Sequence, residues 1–144
     1  MKGLQNGGNT CYFNSVLQCL LQVPQLSNYM ITHTLNQENS EFLKEYQILV
    51  KKFWLKKNNN CEDPTPVLNI FKSIYPQFDN GNQQDCQETF IYLLDLFEKE
   101  LKELISNTFN IKLVQDTICK SEKSRKRENT NFMMLMPKKN NQTL

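Results

Sequence analysis

The chain has 144 residues, and 17 Lys and Arg against 15 Asp and Glu give a formal net charge of +2. This length suits one domain with a hydrophobic core, and 39% apolar residues with nine Phe exclude a wholly disordered chain. So small a net charge gives no general reason to expect nucleic acid as a partner. No segment approaches the roughly 20 apolar residues that span a bilayer, and the amino terminus does not resemble a signal peptide, so we expect an intracellular protein without a membrane partner.

The cysteines are an odd number and lie far apart in the sequence. They are Cys11, Cys19, Cys61, Cys86 and Cys119, and no two of them form a C-x-x-C pair. Disulfide scaffolds and self-contained zinc sites need closely spaced or evenly paired ligands. The spacing therefore predicts free thiols, no metal site and no cofactor.

Two helices are predicted in the first part of the chain. A loop rich in Gly and Asn covers residues 3–10, and apolar side chains then recur at helical spacing from Phe13 to Leu21. Pro24 is predicted to end this first helix, because proline disrupts a helix interior. A second apolar stripe runs from Phe42 to Trp54, and Ser40 is predicted to be its N-cap.

Two further helices are predicted after a polar loop. The Thr-Pro pair at residues 65–66 is typical of an N-cap followed by proline at the first helical position, and this helix ends at residues 75–76. Asp85 and Glu88 are spaced as in a capping box, with Asp in the Ser/Thr role. The stripe that follows, from Phe90 to Ile105, predicts the longest helix of the chain.

The pattern after these helices predicts a β-hairpin. Apolar and polar residues alternate from Phe109 to Leu113, with an extended segment up to Cys119, and Phe132–Met136 is the second strand candidate. The basic segment Lys120–Asn129 between them is interpreted as a solvated connection, since it lacks the interleaved aromatic residues of a nucleic-acid surface. Helices followed by a hairpin make an α+β fold.

Two segments could carry chemistry. Cys11 follows a flexible loop at the start of an apolar helix, where unpaired N–H groups and the helix dipole favour a thiolate and can stabilise an oxyanion. Asn6 could donate a further amide hydrogen bond. The alternative is that Cys11 is a small apolar core residue. On capping grounds alone, the second segment, residues 83–88, is interpreted as a polar loop that caps the longest helix.

Together the two segments resemble a known family. Residues 3–18, GLQNGGNTCYFNSVLQ, are similar almost throughout to the cysteine box of the ubiquitin-specific proteases. Residues 83–88, QQDCQE, followed by Leu93-Leu94-Asp95, resemble the QQD box of the same family. Thr89 departs from the pattern, because the family usually has an aromatic or large aliphatic residue there.

The resemblance implies a role for four residues. Cys11 matches the nucleophile that attacks the carbonyl of the C-terminal glycine of ubiquitin, and Asn6 matches the asparagine that stabilises the oxyanion. Gln83 and Asp85 match residues that grip the arginine-bearing tail of ubiquitin, and a carboxylate is a suitable partner for arginine. The implied partner is ubiquitin or a ubiquitinated protein.

The resemblance also implies a papain-like fold. Residues 1–137 would be part of a catalytic domain, with 3–105 as the helical thumb, 109–136 as the first β-hairpin of the fingers and palm region, and 138–144 as a tail. The fingers of the family often bind zinc through two C-x-x-C pairs. Here Cys119-Lys120-Ser121-Glu122 interrupts the first of these, so no zinc is expected.

The histidine box of the family has no match in the chain. A cysteine nucleophile of this type needs a general base, usually His oriented by Asp or Asn. The only histidine, His33, is interpreted as a surface or loop residue. We therefore expect a truncated portion of a deubiquitinase whose base comes from a missing segment or a partner chain. The alternatives are a ubiquitin-binding or partner-binding module without turnover and a poorly folding truncated product.

Overall fold

The described part of the chain is mostly helical and includes a small antiparallel sheet. The computed structural model describes residues 2–57, 60–118 and 123–130, and the chain divides after Ile105 into two units that are considered separately. In order, the elements are α1 (Cys11–Leu21), α2 (Pro24–Thr32), α3 (Glu41–Leu55), α4 (Thr65–Ile74), a 3-10 turn (Pro76–Phe78), α5 (Cys86–Phe109), β1 (Ile111–Ile118) and β2 (Lys123–Thr130). This composition agrees with the predicted α+β class. None of the helices described is long and apolar enough to cross a membrane.

The first helix ends before Pro24, but this proline also begins a helix that the sequence did not predict. α1 ends at Leu21, and Pro24 is at the start of α2. Proline suits a first turn, because the N–H that it lacks has no acceptor within the helix there. The hydroxyl of Ser27 donates to the carbonyl of Leu21 at 2.8 Å, so a carbonyl at the end of α1 is satisfied by the new helix. The predicted end of the first helix is therefore confirmed, and α2 is an additional helix that the sequence analysis missed.

The second predicted helix is confirmed as α3. The Ser40 hydroxyl oxygen accepts a hydrogen bond from the backbone N–H of Leu43 at 3.2 Å, which is the predicted N-cap. The Glu100 carboxylate on α5 accepts bonds from the backbone N–H and hydroxyl of Ser40 and from the amide of Asn39. Partial burial acts to raise the pKa of Glu100, but these bonds hold it below its usual value. The start of α3 is thereby tied to α5.

The third predicted helix begins one residue earlier than expected, at the residue that was predicted to be its N-cap. Thr65 is already helical in α4, Pro64 occupies the cap position and Pro66 lies in the first turn. The carboxylate of Asp63 accepts the backbone N–H of Thr65 at 2.9 Å, and hydrogen bonding from Thr65 lowers the pKa of Asp63. Asp63, and not Thr65, therefore provides the side-chain acceptor at the start of α4.

The longest predicted helix is confirmed as α5. Its apolar stripe is buried at Leu93, Leu94 and Phe97, and the buried residue Leu101 has non-helical backbone angles (φ −123°, ψ 36°) that kink the helix. The buried face packs in the core of the first unit, where Phe97 contacts two aromatic rings of α3, with the Tyr46 centroid 4.7 Å away.

A second aromatic cluster joins four elements near the start of α1: α1 itself, α4, the 3-10 turn and α5. Phe71 of α4 lies between Phe13 of α1 and Phe78 of the 3-10 turn, with ring centroids 5.2 and 4.9 Å away. Phe78 also stacks on Tyr12 (6.3 Å) and meets Tyr92 of α5 edge-on (5.4 Å). Such offset and edge-on pairs are favourable beyond the area that they bury. This cluster fixes α1, α4 and α5 against one another.

The sheet of the second unit differs from the predicted hairpin. β1 and β2 pair antiparallel from Ile111 opposite Thr130 to Ile118 opposite Lys123. The segment Lys120–Asn129 was predicted as a connection, but most of it is β2, whereas Phe109 belongs to α5. β2 contains no apolar residue, so periodicity gives no strand signal. The predicted strand Phe132–Met136, Cys119 and the tail from Lys138 lie outside the described residues.

One ion pair across the sheet helps to explain why a polar segment forms a strand. Arg125 donates from Nε and Nη2 to the two oxygens of Asp116, its direct cross-strand partner, at 2.6 and 2.9 Å. Opposite charges placed directly across an antiparallel pair stabilise the ladder. The guanidinium of Arg125 lowers the pKa of Asp116. The described side chains of Lys123 to Arg127 are exposed, as predicted for this segment.

We predict that Phe78→Ala destabilises the protein strongly. Phe78 is 2% exposed and contacts rings from three elements, so the change removes buried area and leaves a cavity. Comparable Phe→Ala changes cost about 3–5 kcal/mol. Urea unfolding measures the difference, with Ile74→Ala, whose side chain is 43% exposed, as the control. A loss below about 1 kcal/mol for Phe78→Ala would contradict the packing described here.

Candidate active site

Cys11 is an exposed thiol at the first position of α1. The next two residues, Tyr12 and Phe13, are buried in the aromatic cluster, so the helix start is anchored while the thiol faces solvent. The first N–H groups of a helix have no acceptor within it and can meet an external oxygen. The alternative interpretation of Cys11 as a core residue is therefore wrong.

The segment before the site is held along α1 by two amide side chains. Asn14 donates from Nδ2 to the carbonyl of Gln5 at 2.9 Å, and Gln18, one turn later, donates to the carbonyl of Lys2 at 3.2 Å. The Gln5 N–H also donates to the carbonyl of Glu62 at 2.9 Å. The chain is thus fixed on two sides immediately before Asn6.

The Lys2 ammonium anchors the same segment at its beginning. It donates to the carbonyls of Lys52 and Lys56 at the end of α3, at 3.0 and 2.6 Å, and lies 3.5 Å from the carboxylate of Glu62. A cation at a helix C-terminus satisfies carbonyls that have no partner in the helix. The sequence analysis did not identify this role, because nothing local to Lys2 shows which helix end it will meet.

Asn6 shapes the loop that leads into α1. Its Oδ1 accepts the backbone N–H of Gly8 at 3.1 Å and the hydroxyl of Thr10 at 2.9 Å. Gly8 has φ +94°, which glycine adopts at little cost. Because two donors occupy Oδ1, the Nδ2 end of the Asn6 amide is the end that can donate to a substrate.

The structure brings the two predicted motifs together. The thiol of Cys11 donates to Oε1 of Gln83 over 3.4 Å, although 72 residues separate them. A second bond joins the same two loops, from Nδ2 of Asn9 to the carbonyl of Gly81 at 3.1 Å. The sequence analysis identified Cys11 and Gln83 but missed Asn9. The signal available was an amide side chain within a glycine-rich loop.

Asp85 caps α5, as the capping interpretation predicted. Its Oδ1 accepts the backbone N–H groups of Gln87 at 2.6 Å and Glu88 at 3.2 Å. The side chain remains exposed, so its second oxygen can meet a cation. Thr89, which departs from the motif, is fully buried and donates its hydroxyl to the Asp85 carbonyl at 2.8 Å. The hydroxyl is therefore satisfied within the core, and the departure leaves the cap intact.

Charged groups around the aromatic cluster act on its tyrosines. Burial raises the pKa of Tyr12, and the nearby Asp79 carboxylate and Cys11 add to this effect. Asp79 also pairs with Lys72 of α4 at 3.2 Å. Burial raises the pKa of Tyr75, whose hydroxyl donates to Asp95 at 2.9 Å. Both shifts favour the neutral phenol, and the Tyr75 hydroxyl serves as a hydrogen-bond donor to Asp95.

His33 lies at the end of α2, where its ring contacts its own helix. The ring is exposed, as predicted, and stacks on Tyr29 with the centroids 3.9 Å apart. Its Nδ1 lies 3.2 Å from the Tyr29 carbonyl and 3.1 Å from the Thr32 hydroxyl. The structure brings Cys11 together with Gln83, and it does not bring His33 into that pair.

The described cysteines are free thiols, as predicted. These are Cys11, Cys19, Cys61 and Cys86, all exposed. Within residues 2–57, 60–118 and 123–130, no group of three His, Cys, Asp or Glu side chains is arranged to hold a metal ion.

The comparisons with known proteins point to one family. A family model for ubiquitin carboxyl-terminal hydrolases matches residues 2–139. Ubiquitin carboxyl-terminal hydrolase 2 of Bos taurus is 30% identical over 128 residues, which are 81% of this chain and 21% of that protein. Ubiquitin carboxyl-terminal hydrolase 15 of Xenopus tropicalis and of Homo sapiens are 35% and 33% identical over 111 residues, 71% of this chain and 11% of theirs.

The alignments cover most of this chain but only a small part of each relative. The chain spans about a fifth or less of the length of these proteins. The family match covers nearly the whole sequence, including both motifs that meet in the structure. The chain belongs to the ubiquitin carboxyl-terminal hydrolase family.

Proposed function

We propose that the chain is part of a cysteine-type deubiquitinase in which Cys11 is the nucleophile. The observation that carries the proposal is the 3.4 Å contact between the Cys11 thiol and Gln83, which joins the two motifs of the family. In the proposed reaction, the Cys11 sulfur attacks the carbonyl carbon of the C-terminal glycine of ubiquitin. The C–N bond breaks, the amine leaves with a proton, and water then hydrolyses the thioester to release ubiquitin.

The start of α1 and Asn6 are proposed to stabilise the oxyanion of this reaction. The attack places negative charge on the glycine oxygen, and preorganised donors there lower the barrier. The unpaired N–H groups of the first turn of α1 are such donors, since Cys11 is its first residue. Nδ2 of Asn6 is the second proposed donor, because the opposite atom of the amide is held by Gly8 and Thr10.

Gln83 and Asp85 are proposed to hold the tail of ubiquitin. The tail carries arginine, and an exposed carboxylate oxygen of Asp85 can accept its guanidinium in a charge-assisted hydrogen bond. Gln83 lies beside Cys11, so its amide can bind the tail next to the scissile bond. The rigid cap that Asp85 forms on α5 keeps its carboxylate in place.

The general base is proposed to come from sequence outside these 144 residues. The relatives are much longer than the matched region, and His33 lies against Tyr29. We further propose that residues 3–105 form the thumb of a papain-like fold and that 109–136 begin the fingers and palm region. The alternative is a ubiquitin-binding or partner-binding module without turnover, and the position of His33 favours it for this chain alone.

We predict that ubiquitin with an electrophile at its C-terminus forms a covalent adduct with the purified chain. Cys11→Ala should abolish the adduct, because the tail directs the electrophile to this thiol. Cys86→Ala is the matched control, since Cys86 is also an exposed first residue of a helix and should not be needed. Mass spectrometry measures the adduct. A folded wild-type chain that forms no adduct would contradict the proposal.

We predict that Asp85→Asn separates the two roles of this residue. Asn caps a helix about as well as Asp, so stability should stay near that of the wild type, whereas Asp85→Ala should lose about 1 kcal/mol. Both variants lack the carboxylate for arginine, and adduct formation should slow roughly fivefold to tenfold for a partly exposed charged hydrogen bond. Adduct kinetics and urea unfolding measure the two effects. An Asp85→Asn chain that reacts as fast as the wild type would remove Asp85 from the binding site.

A further inference from the structure

We propose that Asn9 is a positioning residue that holds the loop carrying Cys11 against the loop carrying Gln83. Its amide Nδ2 donates to the carbonyl of Gly81 at 3.1 Å, across 72 residues of sequence. Asn9 is exposed and precedes Thr10, the N-cap of α1, so neither core packing nor capping explains its side chain. The inference rests on the proposed function, in which Gln83 binds the ubiquitin tail beside Cys11.

In the loop that precedes Cys11, hydrogen bonds hold the residues on both sides of Asn9. Asn6 accepts hydrogen bonds from Gly8 and from Thr10, the two residues that flank Asn9. Asn9 itself has φ +48°, in the left-handed region that Asn tolerates better than most residues. A braced backbone presents the Asn9 amide in one direction, so its bond to Gly81 connects two ordered segments.

The loop on the Gln83 side is braced as well. Oδ1 of Asn80 accepts the backbone N–H of Asn82 at 2.9 Å and the amide of Gln84 at 2.7 Å. The first bond closes a turn around Gly81, and the second spans the segment from Gly81 to Gln83. Any displacement of the Gly81 carbonyl is therefore transmitted to Gln83, and the Asn9 bond fixes the position of both.

The Asn9 bond is independent of the atoms that the substrate would use. In the described part of the chain, the other hydrogen bond between these loops joins Cys11 and Gln83. That bond must break when Gln83 engages the tail and the Cys11 sulfur attacks. The Asn9 bond uses a backbone carbonyl, so it persists and keeps the loops at the same spacing while the tail binds.

Asn9→Gly tests the proposal without straining the backbone. Glycine adopts the positive φ of this position easily, so the variant removes the amide donor without straining the backbone, and Asn9→Asp, which keeps a side chain of the same shape, separates loss of the donor from the added backbone freedom of glycine. Loss of the bond should free the Cys11 thiol from Gln83 and raise its alkylation rate with iodoacetamide about twofold to fivefold, the factor expected for one exposed hydrogen bond. It should lower the rate of adduct formation with the ubiquitin electrophile by a similar factor. A purely structural role would not move the two rates in opposite directions.

Gln83→Ala shows whether Asn9 acts through Gln83. Gln83→Ala should act as Asn9→Gly does, with faster alkylation by iodoacetamide and slower adduct formation with the ubiquitin electrophile. The double variant Asn9→Gly/Gln83→Ala should have the same two rates as Gln83→Ala. Such non-additivity is expected for residues that act through one contact. If Asn9→Gly leaves both rates unchanged, or has its full effect in the Gln83→Ala background, the proposal is wrong.

Asn36→Gly is the matched control, because Asn36 is an exposed loop asparagine that accepts backbone N–H groups of Glu38 and Asn39. It should leave both rates at the wild-type values. If Asn9→Gly lowers the melting temperature, Asn9→Asp replaces it, since Asp keeps the shape of the side chain but cannot donate. If the wild type forms no adduct with the ubiquitin electrophile, the proposed function fails, and the alkylation rates alone support or overturn the role of Asn9.

Discussion

The contact between Tyr12 and Phe78 is the interaction on which the arrangement of the site depends. Tyr12 directly follows Cys11, and Phe78 directly precedes the loop from Asp79 to Gln84. One buried, stacked pair therefore positions both the start of α1 and this loop. Phe71 extends the contact to α4. The aromatic cluster is the part of the core that holds the two motifs side by side, although they are distant in sequence. The hydrogen bonds from Asn9 to Gly81 and from Cys11 to Gln83 join their exposed ends.

The site combines a buried support with exposed polar groups. Cys11, Asn6, Gln83 and Asp85 are all exposed, yet each is fixed by hydrogen bonds to a neighbouring segment or helix end. In the proposed function, side chains held in this way would lose little conformational freedom on binding a substrate, which favours affinity. Their exposure leaves them accessible to the peptide tail of the proposed substrate.

Most of the helices were predicted from the sequence, and the roles of the site residues remain proposals; the elements and contacts that were missed have physical reasons. The N-caps Ser40 and Asp85 were predictable, because a cap acts within three residues of its own position. α2 was missed, because Pro24 both follows one helix and begins another. β2 was missed, because its pairing depends on cross-strand contacts such as Arg125 with Asp116 and not on apolar periodicity. The contacts of Lys2 and Asn9 join residues far apart in sequence, which no local pattern reveals.

The central claim, that Cys11 and Gln83 are in contact, is tested most directly by NMR of the glutamine side-chain amides. The full chain is labelled with 15N, and the Gln83 resonances are assigned from their loss in Gln83→Ala. Modification of Cys11 with a small thiol reagent, with Cys11→Ala as the blank, should then shift the Gln83 amide and leave that of Gln25 on α2 unchanged. An unshifted Gln83 amide in the folded chain would contradict the account.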